Sequence, residues 1–138
     1  EETVTPLCVP RLAAAIRTPK DLIAQVLIES DNKRVRWASW FDANGLTPPP
    51  PGGMRFDRSF LAIAAAVDGL GVTLESTLLA EREIASGELV QPLADKAKDV
   101  RYVGHYLVYP RAARQRQTLR QFAAWIGAEL GLDLGRIP

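Results

Sequence analysis

The chain has 138 residues, 47% apolar and 24% charged, with a net charge of +1; that is enough for one ordinary domain, or one lobe with extra elements, and too apolar to stay disordered. Charge this balanced excludes a nucleic-acid footprint over the whole chain, and no apolar run approaches the roughly 18 residues of a membrane helix. The single cysteine, Cys8, excludes an internal disulfide and suits a reducing cytoplasm.

The opening "EETVTPLCVP" lacks the basic start and apolar stretch of a signal peptide. It reads as the beginning of a fragment, or of a chain whose leader has been removed. Within it "TVTPLCV" (3–9) alternates as a strand does, with Pro10 beyond its end. Thr18, Pro19 and Asp21 then mark a helix start, as N-cap, first helical position and first turn. "VLIES" (26–30) is a second short strand. Trp37, Trp40 and Phe41 recur at helical spacing until Asn44-Gly45, which predicts a short helix with an aromatic face. "TPPPPGG" (47–53) is a stiff extended bridge, too short for a domain linker.

The next segment, "DRSFLAIAAAVDGLGVTLES", predicts a helix with Phe60, Ile63, Ala64 and Val67 on its stripe. Gly69 would be its left-handed cap, and Gly71 the entry to a strand over 71–75. Asp57 or Ser59 is expected at the N-cap. "STLLAEREIASGELV" follows as a helix capped by Ser76 and stopped by Gly87, then a brief strand over 88–91. "VRYVGHYLVYP" (100–110) is the most strand-like segment of all. A last helix over about 113–130 carries Leu119, Phe122, Ala123, Ile126 and Leu130 on one stripe, with Arg114, Arg116 and Arg120 largely off it. Strands alternating with short helices predict an α/β fold with a mostly parallel sheet.

The charge is uneven along this order. Residues 1–95 hold 9 Lys and Arg against 13 Asp and Glu, whereas residues 96–138 hold 8 against 3. The basic tail reads as a solvated helix face, or as a surface for an anionic partner.

Few residues suggest chemistry. A dinucleotide fingerprint needs its glycines between a strand and the helix that follows, so that helix amides face the pyrophosphate. Here the glycines follow a helix and precede a strand, and the third is missing. The other end of that helix offers unpaired N–H groups and a positive dipole end that can hold a carboxylate, with the Ser59 hydroxyl beside them; an ordinary N-cap is the plainer role. His105 has no partner at metal-ligand spacing, and Cys8 lies in an apolar strand with no local base. "LES" is no nucleophile elbow, and nothing fixes Glu75 against Glu81 or Glu83 as an acid–base pair. No enzyme, cofactor or metal is expected.

Taken in order, "PLCVPRLA", "TPKDL", "VLIES", "WASWFDANGL", "FDRSFLAIAAAVDGLGVTLESTLLAEREIASGELVQP", "HYLVYP" and "FAAWIGAEL" make a pattern that resembles the C-terminal part of LysR-type transcriptional regulators. The likeness is nearest to the subgroup with regulators of glycine cleavage and β-lactamase genes, and it covers nearly the whole chain. It implies a periplasmic-binding-protein-like effector domain, with residues 1–103 as the second lobe. Residues 104–138 would be the strand and helix returning to the first lobe, while the rest of that lobe, the linker helix and the DNA-binding domain are absent. A small effector, an anionic metabolite or a peptide-like compound, would sit between the lobes, and operator DNA would be bound only through the absent domain. By the same resemblance Ser59, Phe56 and Arg58 face the cleft, Tyr106 stands beside it on the returning strand, and Glu75 and Ser76 lie near the hinge. Cys8 is a weaker candidate on the first strand, and a hinge ion pair would explain Glu75 equally well. The tail helix, deprived of most of its sheet, is expected to pack on its own lobe in an altered way or to exchange with a second copy. The alternative is a free-standing solute-binding protein, which would carry a secretion signal and both lobes.

Overall fold

The computed structural model describes residues 1–132, and the chain divides into two compact units, Glu1–Gly104 and His105–Pro138. The first unit is built on one five-stranded sheet. Its strands are β1 (Glu2–Leu7), β2 (Leu27–Ser30), β3 (Met54–Phe56), β4 (Val72–Ser76) and β5 (Val100–Tyr102), in the spatial order β3-β2-β4-β1-β5. β2 runs parallel to both β3 and β4, and β1 runs antiparallel to both β4 and β5. The expected mostly parallel sheet is therefore corrected to a mixed one. Four strands share a direction and β1, lodged among them, opposes it. Alternation of strands and helices fixes the connections that cross over, but β1 meets its neighbours through pairings with strands far along the chain.

Side-chain alternation separates the two faces. One face presents Val4, Val72 and Leu74 to Ile16, Leu22, Leu93 and the aromatic side of α2 (Trp37–Ala43). Trp37, Trp40 and Phe41 pack there with ring centroids 5.4–5.8 Å apart, and the Trp37 indole donates to the Ile28 carbonyl at 2.9 Å. The other face presents Leu7 and Ile28 to α3 (Ser59–Val67), with Ala80 and Leu89 completing the cluster. α3 buries Ala62, Ile63, Ala65 and Ala66, whereas Phe60 is 67% exposed. This shifts the expected stripe by about one position. Four small or β-branched side chains let the helix lie close on the sheet, and the bulkier Phe60 is turned out.

Several local expectations hold in altered form. The Thr18–Pro19–Asp21 start opens a 3-10 helix, Pro19–Ala24. The Asp21 carboxylate accepts from the Arg17 and Thr18 amides at 2.9 and 2.7 Å, and these bonds hold it below the usual carboxylate range. After the short α1 (Pro10–Ala13), Arg11 donates to the Gly69 carbonyl at 2.9 Å. Gly69, at φ +71°, closes α3 as expected. A methyl group at Gly71 would collide with the Val26 carbonyl, so only glycine lets β4 begin there. The helix expected from Ser76 shrinks to α4 (Glu81–Ala85), because residues 77–80 form turns and Ser76 stays in β4. The strand expected over 88–91 is a single antiparallel bridge, Cys8 to Val90.

In the second unit, a 3-10 turn, Arg111–Ala113, precedes α5 (Gln117–Glu129). The long strand expected over 100–110 is not formed. Only Val100–Tyr102 pair, with β1, and residues 103–110 carry no strand, leaving Tyr106 69% and Val108 85% exposed. High β-propensity without a neighbouring ladder does not make a sheet. Of the apolar stripe expected on α5, only Ala123 is buried, and Phe122 and Trp125 stack on each other at 5.7 Å while facing solvent. The last six residues of the expected second segment lie outside the described residues.

Candidate functional site

The direction of the strands brings chemistry to one edge of the sheet. The carboxyl ends of β2, β3, β4 and β5 meet the amino end of β1 there, which places Ser30, Phe56, Glu75, Ser76, Tyr102 and Glu2 on a common rim. Crevices outside strand carboxyl ends are where open α/β sheets bind ligands. α3 begins at the same rim. Its N-cap is Arg58, in extended conformation and with no side-chain cap bond, and Ser59 is the first helical residue. The expectation of Asp57 or Ser59 at the N-cap is thus corrected. No side chain caps α3, so its first amides stay open to another acceptor.

Beneath this helix start lies a buried ion pair. Lys33, from the turn after β2, reaches the Glu75 carboxylate, with side chains only 8% and 0% exposed. The turn is pinned across the rim: the Asp31 amide donates to the Phe56 carbonyl at 2.7 Å, Arg55 pairs with Asp31, and the Asn32 amide group donates to the Asp57 carbonyl at 2.8 Å. Burial pushes the Glu75 carboxyl up and the Lys33 ammonium down, each toward its neutral form, and their mutual attraction opposes this. Neither Glu75 oxygen makes a hydrogen bond of good geometry, but the Ser59 hydroxyl and the Ser76 amide lie close enough to favour the carboxylate. Alternation puts Ser30 and Thr73 on the same face as Glu75, and both hydroxyls are buried without a partner. Glu2 also attracts Lys33, and the Tyr102 phenol donates to Glu2 at 3.4 Å. Burial, then the charges of Glu2 and Glu75, raise that phenol's pKa.

Of the residues singled out from sequence, Phe56, Arg58, Ser59, Glu75 and Ser76 come together at this rim, with Ser59 over Glu75. Cys8 does not join them; it is buried past the far end of β1, in the bridge to Val90. Tyr106 belongs to the second unit, where it lines an open hollow with Leu107, Val108, Tyr109, Arg111 and Arg114. The sequence reading passed over Lys33, Glu2 and Tyr102. One signal was available: strand alternation puts Glu75 on the face that Thr73 and α3 cover, and a buried carboxylate calls for a cation. Among the described residues no group of three or more His, Cys, Asp or Glu is placed to hold a metal ion, and no helix is long and apolar enough to cross a membrane.

The profile of the LysR substrate binding domain matches residues 1–131. The chain is 54% identical over 136 residues to the HTH-type transcriptional regulator PerR of Escherichia coli, covering 99% of this chain and 45% of that one. It is 56% identical over 129 residues to the uncharacterized HTH-type transcriptional regulator y4mQ of Sinorhizobium fredii, covering 94% and 43%. The chain thus spans a little under half the length of the curated relatives it matches. Among solved structures it is similar to the AmpR effector binding domain of Citrobacter freundii, with a TM-score of 0.70 and 26% identity over 94% of this chain and 64% of that one.

Proposed function

This chain belongs to the LysR substrate-binding domain family, and from that premise we propose that it is the ligand-sensing and self-associating part of a cytoplasmic LysR-type transcriptional regulator, without enzymatic activity. Residues 1–103 act as the second lobe of the effector domain, and residues 104–138 as the segment, carrying α5, that returns to the first lobe. The effector, an anionic metabolite or a peptide-like compound, rests on the sheet rim. Phe56, Arg58, Ser59 and the open amides of α3 meet it, and Tyr106 is a further candidate contact. Glu75 and Ser76 form the floor at the hinge. Copies of the protein associate, with exchange of α5 as the route, and operator DNA is contacted through a segment outside this chain.

The observation that carries this reading is the uncapped start of α3 above buried polar groups that lack partners. An orphaned helix start at a strand edge is a ready-made ligand site. The effector acts by binding the two arrangements of the lobes with different affinity, since equal affinity would shift nothing. The names of the relatives favour a regulator over a free-standing solute-binding protein. The test uses the full-length regulator bearing Ser59→Ala or Tyr106→Phe, with effector-dependent transcription as readout. Each change removes one hydrogen-bonding group and should raise the effector concentration needed for half-response by about tenfold. An unchanged dose–response in both variants would discard the site.

A further inference from the structure

The four consecutive prolines of the sequence take no part in the α3 rim, and the structure gives them another position. Prolines 48–51 wall a hollow of about 260 Å³ on the α2 face of the sheet, together with Leu27, Glu29, Trp37 and Arg55. The wall is fastened to the strand behind it. Gly53, at φ +91°, lies so close to β2 that a Cβ there would collide with the Leu27 carbonyl. Only glycine lets the tract close down on the strand at that point. A proline run holds its extended shape by itself, so little ordering is left to be done when a ligand enters. The volume falls below the roughly 300–1,000 Å³ of drug-sized sites, which suits a small metabolite.

The charges of the hollow come as a pair. Glu29 on β2 and Arg55 on β3 are register partners in adjacent parallel strands, which ordinary spacing sets about 4.8 Å apart. Each keeps bonding capacity to spare. The Arg55 Nε and Nη2 groups donate to Asp31, with Nε at 3.1 Å, which leaves the Nη1 group uncommitted. The Glu29 carboxylate is paired loosely with Arg36 at 3.8 Å, beyond hydrogen-bonding distance, so its lone pairs remain available. Their side chains are 23% and 53% exposed, so a solute reaches both.

We propose that this hollow is a ligand site in its own right, and that it takes a small zwitterion with an apolar body, the chemical form of an α-amino acid with an aliphatic side chain. The ammonium donates to Glu29, the carboxylate accepts from the Arg55 Nη1 group, and the aliphatic part lies against Leu27, Trp37 and the prolines. A ligand with a single charge fits less well. A simple amine is repelled by Arg36 and Arg55, and a simple acid by Glu29 and Asp31. A zwitterion meets both members of the pair. The hollow stands on the face of the sheet opposite α3, so it does not depend on the reading of the α3 rim.

The test is an NMR titration of the isotope-labelled 138-residue chain, read at the Gly52 and Gly53 amides and the Trp37 indole N–H. The probes are L-leucine and two analogues that each keep one charge, isoamylamine and isocaproate. Leucine should move these signals saturably, and each analogue should bind about tenfold more weakly, since each loses one charge-assisted hydrogen bond. E29Q, which disturbs only the loose pair with Arg36, should weaken leucine by about tenfold and spare isocaproate. R55M should weaken leucine and spare isoamylamine. Should R55M fail to fold because Asp31 loses its partner, E29Q and the two analogues still decide the matter. No saturable shift with leucine up to about 50 mM overturns the proposal. So does an analogue that binds as well as leucine, or an E29Q chain that binds leucine as the wild type does. Shifts at the Ser59 and Phe60 amides without shifts at Gly52 and Gly53 overturn it as well, and move the zwitterion to the α3 rim.

Discussion

Cys8 shows how position within a strand decides reactivity. Its side chain is fully buried, and burial pushes the thiol up to about 11. A thiol with that pKa is almost wholly protonated at neutral pH, and the thiolate is the reactive form. An aromatic disulfide reagent should therefore label the native protein no faster than it unfolds, and label the denatured protein at once. Immediate stoichiometric labelling of native protein would contradict the burial. Cysteine in an apolar alternating run was enough to read this role from sequence. Ser59 was legible from the helix start that it opens, and the family resemblance added weight to it; Glu75 was legible as an effector candidate only through that resemblance. Lys33 was not legible at all, because a lysine in "SDNKRVR" has no periodicity to show that its side chain turns inward. Its burial is set by turn geometry and by Asp31, Asn32 and Arg55, which no local pattern announces.

The elements follow local rules where one face is fully covered. α2 is held by Trp37, Trp40 and Phe41, all within the core, and Trp40 has no exposure. Trp40→Ala removes the largest of the fully buried side chains and should cost about 3–5 kcal/mol in denaturant unfolding, with the slope of the transition unchanged. A loss below about 1 kcal/mol would mean that α2 is not integral to the core. Gly71→Ala should also destabilise, although it adds only one methyl group, because that methyl meets the Val26 carbonyl. Gly87→Ala, at φ +78° with open space around it, provides the comparison for backbone strain without collision. The aromatic spacing of α2 and the glycine after α3 were readable for these reasons. The stripe of α3 was misjudged because the consecutive small or β-branched positions 62–66 look alike from every side, and only the sheet chooses which are covered. The segment over 103–110 was misjudged for the opposite reason: its pattern is that of a strand, but a strand needs a neighbour.

At the scale of the molecule, α5 leaves large apolar side chains uncovered. Phe122, Trp125 and Leu130 are 44%, 57% and 57% exposed, and only Ala123 and Gly127 of the helix are buried. Apolar surface of that kind drives association. Light scattering on the 138-residue chain should show mass rising with concentration, and Phe122→Ser with Trp125→Ser should return it to a monomer. A monomer at every concentration, with the amides of α5 unprotected in hydrogen exchange, would remove exchange of this helix between copies. The α/β class was legible because helix-like and strand-like segments alternate. The mixed sheet was not, because the direction of β1 depends on pairings with β4 and β5, some seventy to a hundred residues further on.

That placement of β1 also shapes how the molecule is made. β1 precedes the other strands of this sheet in the chain, yet it has β4 on one side and β5 on the other. Both of its hydrogen-bonding edges stay unpaired until most of the first unit exists. The pairings then close loops of this length, which is the slow kind of folding step and leaves an unpaired strand exposed meanwhile. Vulnerability to aggregation while this unit forms is thus concentrated in β1.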